Sequence, residues 1–306
     1  MKVLIAGCGY LGKALGRNLV ESGVMVWGLR RDRLALKSLE MVGIKPVQAD
    51  LTKPESLVHL PNVDTVVLSQ APSKNSDTYH AVYYEAVENL VEALHLKKPK
   101  RILMISSTSV YGQRNGSWVN EGTSPDDAGY PSKEATARAK TLIETEELVL
   151  SGIVPAIVLR LGGIYGPRRN RLKALADVGA GLPAKGKSAS GGKPAPTGQA
   201  FVNRIHVYDA VTAIRLLLEK GVPGEIYIGV DNEPCTDNEF YSWAMENLPL
   251  KKCSGARAAH EIHEGSNKRC TNQKLKQLGW DLKYPTFREG YQSLIGEIAK
   301  IGKQNS

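Results

Sequence analysis

The chain has 306 residues, 42% of them apolar, and 40 Lys and Arg against 31 Asp and Glu give a formal net charge of +9. That length buries one large core or two modest ones, and no run of about 18 apolar residues offers a membrane span. The basic residues are scattered without a nucleic-acid motif, so no nucleic-acid partner and no membrane partner are expected.

The first element is the apolar strand Val3 to Ala6, followed by Gly7, Cys8, Gly9, Tyr10, Leu11 and Gly12. The helix that opens there repeats apolar residues at Leu11, Leu15, Leu19 and Val20. A strand, a glycine turn and a helix in this order bind a dinucleotide: Gly7 allows the tight turn, Gly9 lets backbone approach a pyrophosphate, and Gly12 lets helix and strand pack closely. Only four apolar residues precede Gly7 and Cys8, too few for a signal peptide of roughly 15 to 30 residues, so the expected compartment is the cytoplasm. Cys8, Cys235, Cys253 and Cys270 lack a CxxC spacing and are joined by no histidines in metal-ligand order. They read as reduced thiols, and no metal site is expected.

Val24, Val26 and Leu29 form a second strand that ends at Arg30 and Arg31. Leu34 to Met41 reads as a helix, Val47 to Ala49 and Val63 to Leu68 as strands, and about Asp77 to Leu96 as a helix whose buried face carries Ala81, Tyr84, Val87, Leu90, Val91 and Leu94. Ile102 to Ile105 is a buried strand, about Ser132 to Leu150 a long helix, and Val154 to Leu159 the next strand. This alternation builds a parallel sheet with helices on both faces, an α/β fold. Residues 179–198 are rich in Gly, Pro, Ala, Ser and Lys and read as a loop over a site or a surface insertion. Phe201 to Val207 and Glu225 to Val230 are strands flanking a helix at Ala210 to Leu218, and beyond Thr236 the pattern is helical and looser.

Several further motifs lie in order along the chain: Asp50-Leu51, Ser106 to Gly112 (Ser-Ser-Thr-Ser-Val-Tyr-Gly), Arg160 to Pro167 ending Ile-Tyr-Gly-Pro, Arg204 to Asp209, and Asn272 to Trp280. With the glycine turn, the set resembles the extended short-chain dehydrogenase/reductase family, the NAD-dependent epimerase/dehydratase group, in a branch with atypical active sites. The resemblance implies a Rossmann doubly wound parallel sheet with a small C-terminal substrate domain. Residues 1–167 would form the NAD(P)-binding domain, with 201–230 returning to it, and 168–200 with 231–306 the smaller substrate-binding part. The implied partners are a small-molecule substrate and, in a homodimer, a second copy of the chain.

In such enzymes a Ser or Thr, a Tyr and a Lys share the proton work while a nicotinamide exchanges hydride. By spacing, Ser107 answers to the catalytic hydroxyl. The family's Tyr-x-x-x-Lys pair is out of register: Tyr130 to Lys133 has the right types at spacing three, and Thr136 to Lys140 the right spacing without the phenol. The family acid four residues after the Lys, matched by Glu144, and the distance to Arg160 favour Lys140 as the ribose-binding lysine. The expected catalytic set is Ser107, Tyr130 and Lys140, with Pro131 leaving Tyr130 just before the helix.

The expected cofactor site is Gly7, Gly9, Tyr10, Leu11, Gly12, Arg30, Arg31, Asp50, Leu51, Ser69, Gln70, Ala71 and Lys140. Arg30 stands where a carboxylate would select NAD, so NADP is the expected cofactor, with Asp32 able to support NAD instead. Arg160, Arg168, Arg204 and His206, together with Arg169, are the expected substrate-binding residues, suited to an anion. Gly163 replaces the Asn that many nucleotide-sugar enzymes use to orient substrate. The expected function is an NAD(P)-dependent oxidoreductase, epimerase or dehydratase acting on a nucleotide sugar or similar anionic carbonyl compound. The alternative is a catalytically weak NADP(H)-binding regulatory protein, while a nucleic-acid-binding role rests on net charge alone.

Overall fold

Alternate residues of a strand point to opposite faces of a sheet, and that rule sorts the apolar runs of this chain into two cores. The structure is a computed structural model, and it describes residues 1–72, 79–95, 97–125, 133–171, 199–247 and 267–295. In chain order the elements are β1 (Lys2–Ala6), α1 (Tyr10–Glu21), β2 (Met25–Arg30), α2 (Arg33–Glu40), β3 (Lys45–Gln48), β4 (Thr65–Leu68), α3 (Ala86–Leu94), β5 (Arg101–Ser107), β6 (Ser117–Val119), α4 (Lys133–Leu150) and β7 (Ala156–Leu161). They continue with β8 (Gly163–Tyr165), β9 (Phe201–Val202), β10 (Arg204–His206), α5 (Val207–Lys220), β11 (Ile226–Gly229), β12 (Cys235–Thr236), α6 (Asp237–Asn247), β13 (Lys268–Cys270), α7 (Gln273–Gln277) and α8 (Phe287–Gln292).

Seven strands form one parallel sheet in the order β11-β7-β5-β4-β1-β2-β3. Val3, Ile5, Val26, Val67, Leu103, Ile157 and Leu159 face one side, where they meet Leu11, Leu15 and Leu19 of α1 and Ala210, Ile214 and Leu217 of α5. Leu4, Ala6, Leu29, Val66, Leu68, Ile102, Met104 and Val158 face the other and meet Ala86, Val87, Leu90 and Leu94 of α3 and Val149 of α4. Each fully buried Val, Leu, Ile or Met among them contributes about 1.5–3 kcal/mol, which is why apolar strands without alternating polarity end up in the sheet's interior. The strand order of the doubly wound sheet reverses between β1 and β4, and the crevice beyond their carboxyl ends is the ligand site of such folds.

Two local expectations change. The run Phe201 to Val207 is split into β9 and β10 at Asn203, whose side-chain amide donates to the Lys268 carbonyl at 3.0 Å and accepts from the Cys270 amide at 2.7 Å. The apolar pattern hid that break because Asn203 itself is buried. In addition, β6 pairs in parallel with β13 about 150 residues later in the sequence, a contact that local periodicity does not encode. Near the C-terminus, Tyr165, Cys235, Phe240, Ala244, Phe287, Tyr291 and Leu294 form a separate apolar cluster, and α8 starts in a capping box between Thr286 and Glu289. The loop expected at 179–198 lies outside the described residues, as does Cys253.

Candidate active site

A cleft of about 710 Å³ opens at the carboxyl ends of β1, β2, β4, β5 and β7. Gly7, Gly9, Tyr10, Leu11, Arg30, Arg31, Asp50, Leu51, Ser69, Gln70, Ala71 and Ser107 all line it. Its size is that of ordinary small-molecule and cofactor sites.

The cofactor side is set by backbone. Gly7 has φ +77°, and a Cβ there would lie 2.3 Å from the Cα of Gln70, so the ends of β1 and β4 approach closely only with glycine at this position. Gly12 does not line the cleft; a Cβ on it would lie 2.9 Å from Ile5, the close helix-to-strand packing that brings α1 against β1. No side chain caps the N-terminus of α1, and its first turn holds no acidic residue, so the helix presents N–H groups and a positive dipole end as an anion site. The Arg30 guanidinium sits over this turn and donates to the Cys8 carbonyl at 3.3 Å. Burial pushes the Cys8 thiol up to about 12 against the opposing charges of Arg30 and Lys13, so it stays neutral.

Asp32 also lines the cleft, but its carboxylate caps α2 by accepting from the Leu34 amide at 2.9 Å. Asp50 holds its loop by accepting from the Thr52 amide and hydroxyl. Gln70, which lines the cleft, carries a buried side-chain oxygen without a hydrogen-bond partner. The glycine turn, the uncapped helix, the arginines and this orphaned acceptor fit a dinucleotide.

The catalytic side departs from expectation. Ser107 lines the cleft at the end of β5, and its hydroxyl accepts from the Ser109 amide at 3.1 Å. Tyr130 lies outside the described residues. Lys140 does not line the cleft: its side chain is 74% exposed and paired at 3.8 Å with Glu144. Arg160 does not line the cleft either: it is buried against Glu146. Its Nε lies 3.1 Å from both carboxylate oxygens, and Nη1 donates to the Tyr111 hydroxyl at 2.8 Å. Ser106, beside Ser107, donates to the same carboxylate.

The acid that answers Arg160 is thus Glu146 and not Glu144, and four residues before it stands Leu142, which is fully buried. Spacing alone could not separate two acids two residues apart; only the direction each side chain takes across the sheet does so. Arg204 is likewise turned inward, pairing at 2.9 Å with Asp237 and donating to Cys235. His206 caps α5 by accepting from the Tyr208 amide at 3.2 Å and packs on Tyr284 and Tyr165. Burial and the nearby charge of Lys283 pull its pKa down to about 4.

Arg168 is exposed at φ +63° and does not line the cleft, whereas its neighbour Arg169 does, with its guanidinium 5.4 Å from the Tyr10 ring centre. Tyr83 also lines the cleft and was not anticipated. Helical periodicity put Tyr84 on the inner face, but a single π-helical turn at Ala81–Glu85 shifts the phase of the helix there.

A Rossmann-type sheet with this glycine turn at its switch point defines a dinucleotide-binding protein. Residues 3–229 match the model of the NAD dependent epimerase/dehydratase family, and the chain belongs to that family of enzymes. It is similar to protein YeeZ of Escherichia coli K12, 29% identical over 293 residues that cover 93% of this chain and 96% of that protein. It is also similar to human dTDP-D-glucose 4,6-dehydratase, 26% identical over 96% of this chain and 89% of that protein. The solved structure of Thermus thermophilus UDP-glucose 4-epimerase in complex with NAD shares the fold, with a TM-score of 0.74 at 20% identity, covering 98% of this chain and 99% of that one. No helix among the described residues is long and apolar enough to cross a membrane.

Proposed function

We propose that this protein is an NADP-preferring oxidoreductase of the epimerase, dehydratase or reductase type that acts on a nucleotide-linked sugar or a similar anionic carbonyl compound. The observation that carries this reading is that the glycine turn, Arg30, Gln70 and Ser107, from the ends of four different strands, line one cleft. In this reading the turn and the α1 N-terminus hold the pyrophosphate, and Arg30 and Arg31 pair with the 2′-phosphate. Asp50 and Leu51 border the adenine, and Ser69, Gln70 and Ala71 border the nicotinamide half. The bound nicotinamide supplies the hydride donor or acceptor.

Ser107 donates a hydrogen bond to the reacting oxygen, and Arg169 replaces Arg160, Arg168 and Arg204 as the cation available to an anionic substrate. The human and Thermus relatives, by name a nucleotide-sugar dehydratase and epimerase, support the substrate class.

Titration of NADPH and NADH, followed by tryptophan fluorescence, tests the reading. NADPH binds more tightly, and Arg30→Ala weakens NADPH by about 10- to 100-fold while changing NADH little, as expected for a charge-assisted pair of about 1.5–3 kcal/mol. Equal affinities for the two cofactors in the unmodified protein would remove the NADP preference. A panel of UDP- and dTDP-hexoses, monitored for NADPH absorbance and product mass, tests the substrate class.

A further inference from the structure

Lys140 lies outside the cleft and Leu142 is buried, so among the described residues no tyrosine–lysine pair of the family pattern lines the cleft. A phenol nevertheless faces the cleft. Tyr83 lines it together with Ser107 and Arg169, carried there by the π-helical turn Ala81–Glu85. Its ring packs on Tyr79, with centroids 4.5 Å apart, and both rest against the cluster that contains Val110, Tyr111 and Leu142. We propose that Tyr83 is the catalytic phenol of this enzyme, working with Ser107.

The surroundings of Tyr83 suit that task. Tyr79 beside it favours the Tyr83 phenolate, while burial pushes the Tyr79 phenol itself well up and keeps it neutral. The groups that act on Tyr83 are Tyr79 on its own helix and Arg169 from the turn after β8; both favour the phenolate, against a burial that raises the pKa overall. Arg138 of α4 adds a positive charge 5.7 Å from the Tyr79 ring centre. Arg169 therefore takes over the electrostatic task that a lysine ammonium performs in the family pattern.

In the oxidative direction the carbinol proton passes to the Tyr83 phenolate as its C–H hydride passes to the oxidised nicotinamide. The products are a carbonyl, a neutral phenol and the reduced nicotinamide. In the reductive direction the phenol returns the proton to the carbonyl oxygen as hydride arrives at carbon.

This proposal rests on the cofactor reading, and the test separates the two. Tyrosine ionisation of the full chain is followed by ultraviolet difference absorbance during a pH titration, with and without saturating NADP⁺. A positive nicotinamide ring in the cleft favours a neighbouring phenolate, so in the unmodified protein one tyrosine titrates at lower pH when NADP⁺ is bound. Tyr83→Phe is expected to abolish that shift while NADP⁺ affinity stays within about twofold, and to slow NADPH-dependent reduction of phenanthrenequinone by about 10²- to 10⁴-fold.

A shift that persists in Tyr83→Phe overturns the proposal, and a shift lost instead in Tyr130→Phe assigns the phenol to that residue. Absence of NADP⁺ binding by the unmodified protein would remove the cofactor reading itself, and the proposal with it.

Discussion

The two halves of the cleft are built by different means. At the ends of β1, β2 and β4 the site is made of backbone: a glycine that lets two strand ends meet, an uncapped helix and short loops. At the ends of β5 and β7 it is made of side chains, and there the expected groups are rearranged, with Lys140 on the surface, Glu146 on Arg160 and Tyr83 in the cleft. A backbone site follows from residue types in fixed order. A side-chain site depends on which face of a helix turns inward, and a shift of two residues reassigns it.

The largest effect expected from breaking this contrast is at Glu146. Glu146→Gln leaves Arg160 buried without its counter-charge, and urea unfolding is expected to show a loss of about 3–5 kcal/mol. A loss below about 1 kcal/mol would mean that water or another group already compensates Arg160. On the backbone side, Gly7→Ala adds a methyl at positive φ against the Gln70 backbone. It is expected to cost about 1–3 kcal/mol and to remove detectable NADPH binding in the same titration. Normal binding in that variant would show that the two strand ends can separate without harm to the site.

A third measurement sharpens the contrast at the C-terminal side. Because His206 is held neutral in the folded chain with a pKa near 4, against about 6.5 when unfolded, the unfolded state binds the extra proton between those values. Stability therefore falls as pH drops from about 6.5 toward 4, with a slope of up to about 1.4 kcal/mol per pH unit, and is unaffected by this group above that window. His206→Gln is expected to flatten the slope in pH-dependent unfolding, and an unchanged slope would place the titrating group elsewhere. The smallest effect belongs to Lys140→Met, which breaks only an exposed pair to Glu144; it is expected to change stability by less than about 0.5 kcal/mol. Loss of NADPH affinity in that variant would restore Lys140 to the cofactor site.

The sequence by itself determined the sheet, the glycine turn and the position of Arg30 at the end of β2, because short continuous apolar runs and the special backbone of glycine act within a few residues. It also determined that Ser107 ends β5. Tertiary structure alone decided that Glu146 and not Glu144 meets Arg160, that Asn203 ties β13 to the break between β9 and β10, and that a π-helical turn brings Tyr83 and not Tyr84 to the cleft. Each of these depends on contacts between residues far apart in the chain or on a change of helical phase, and neither leaves a periodic trace in the residue order.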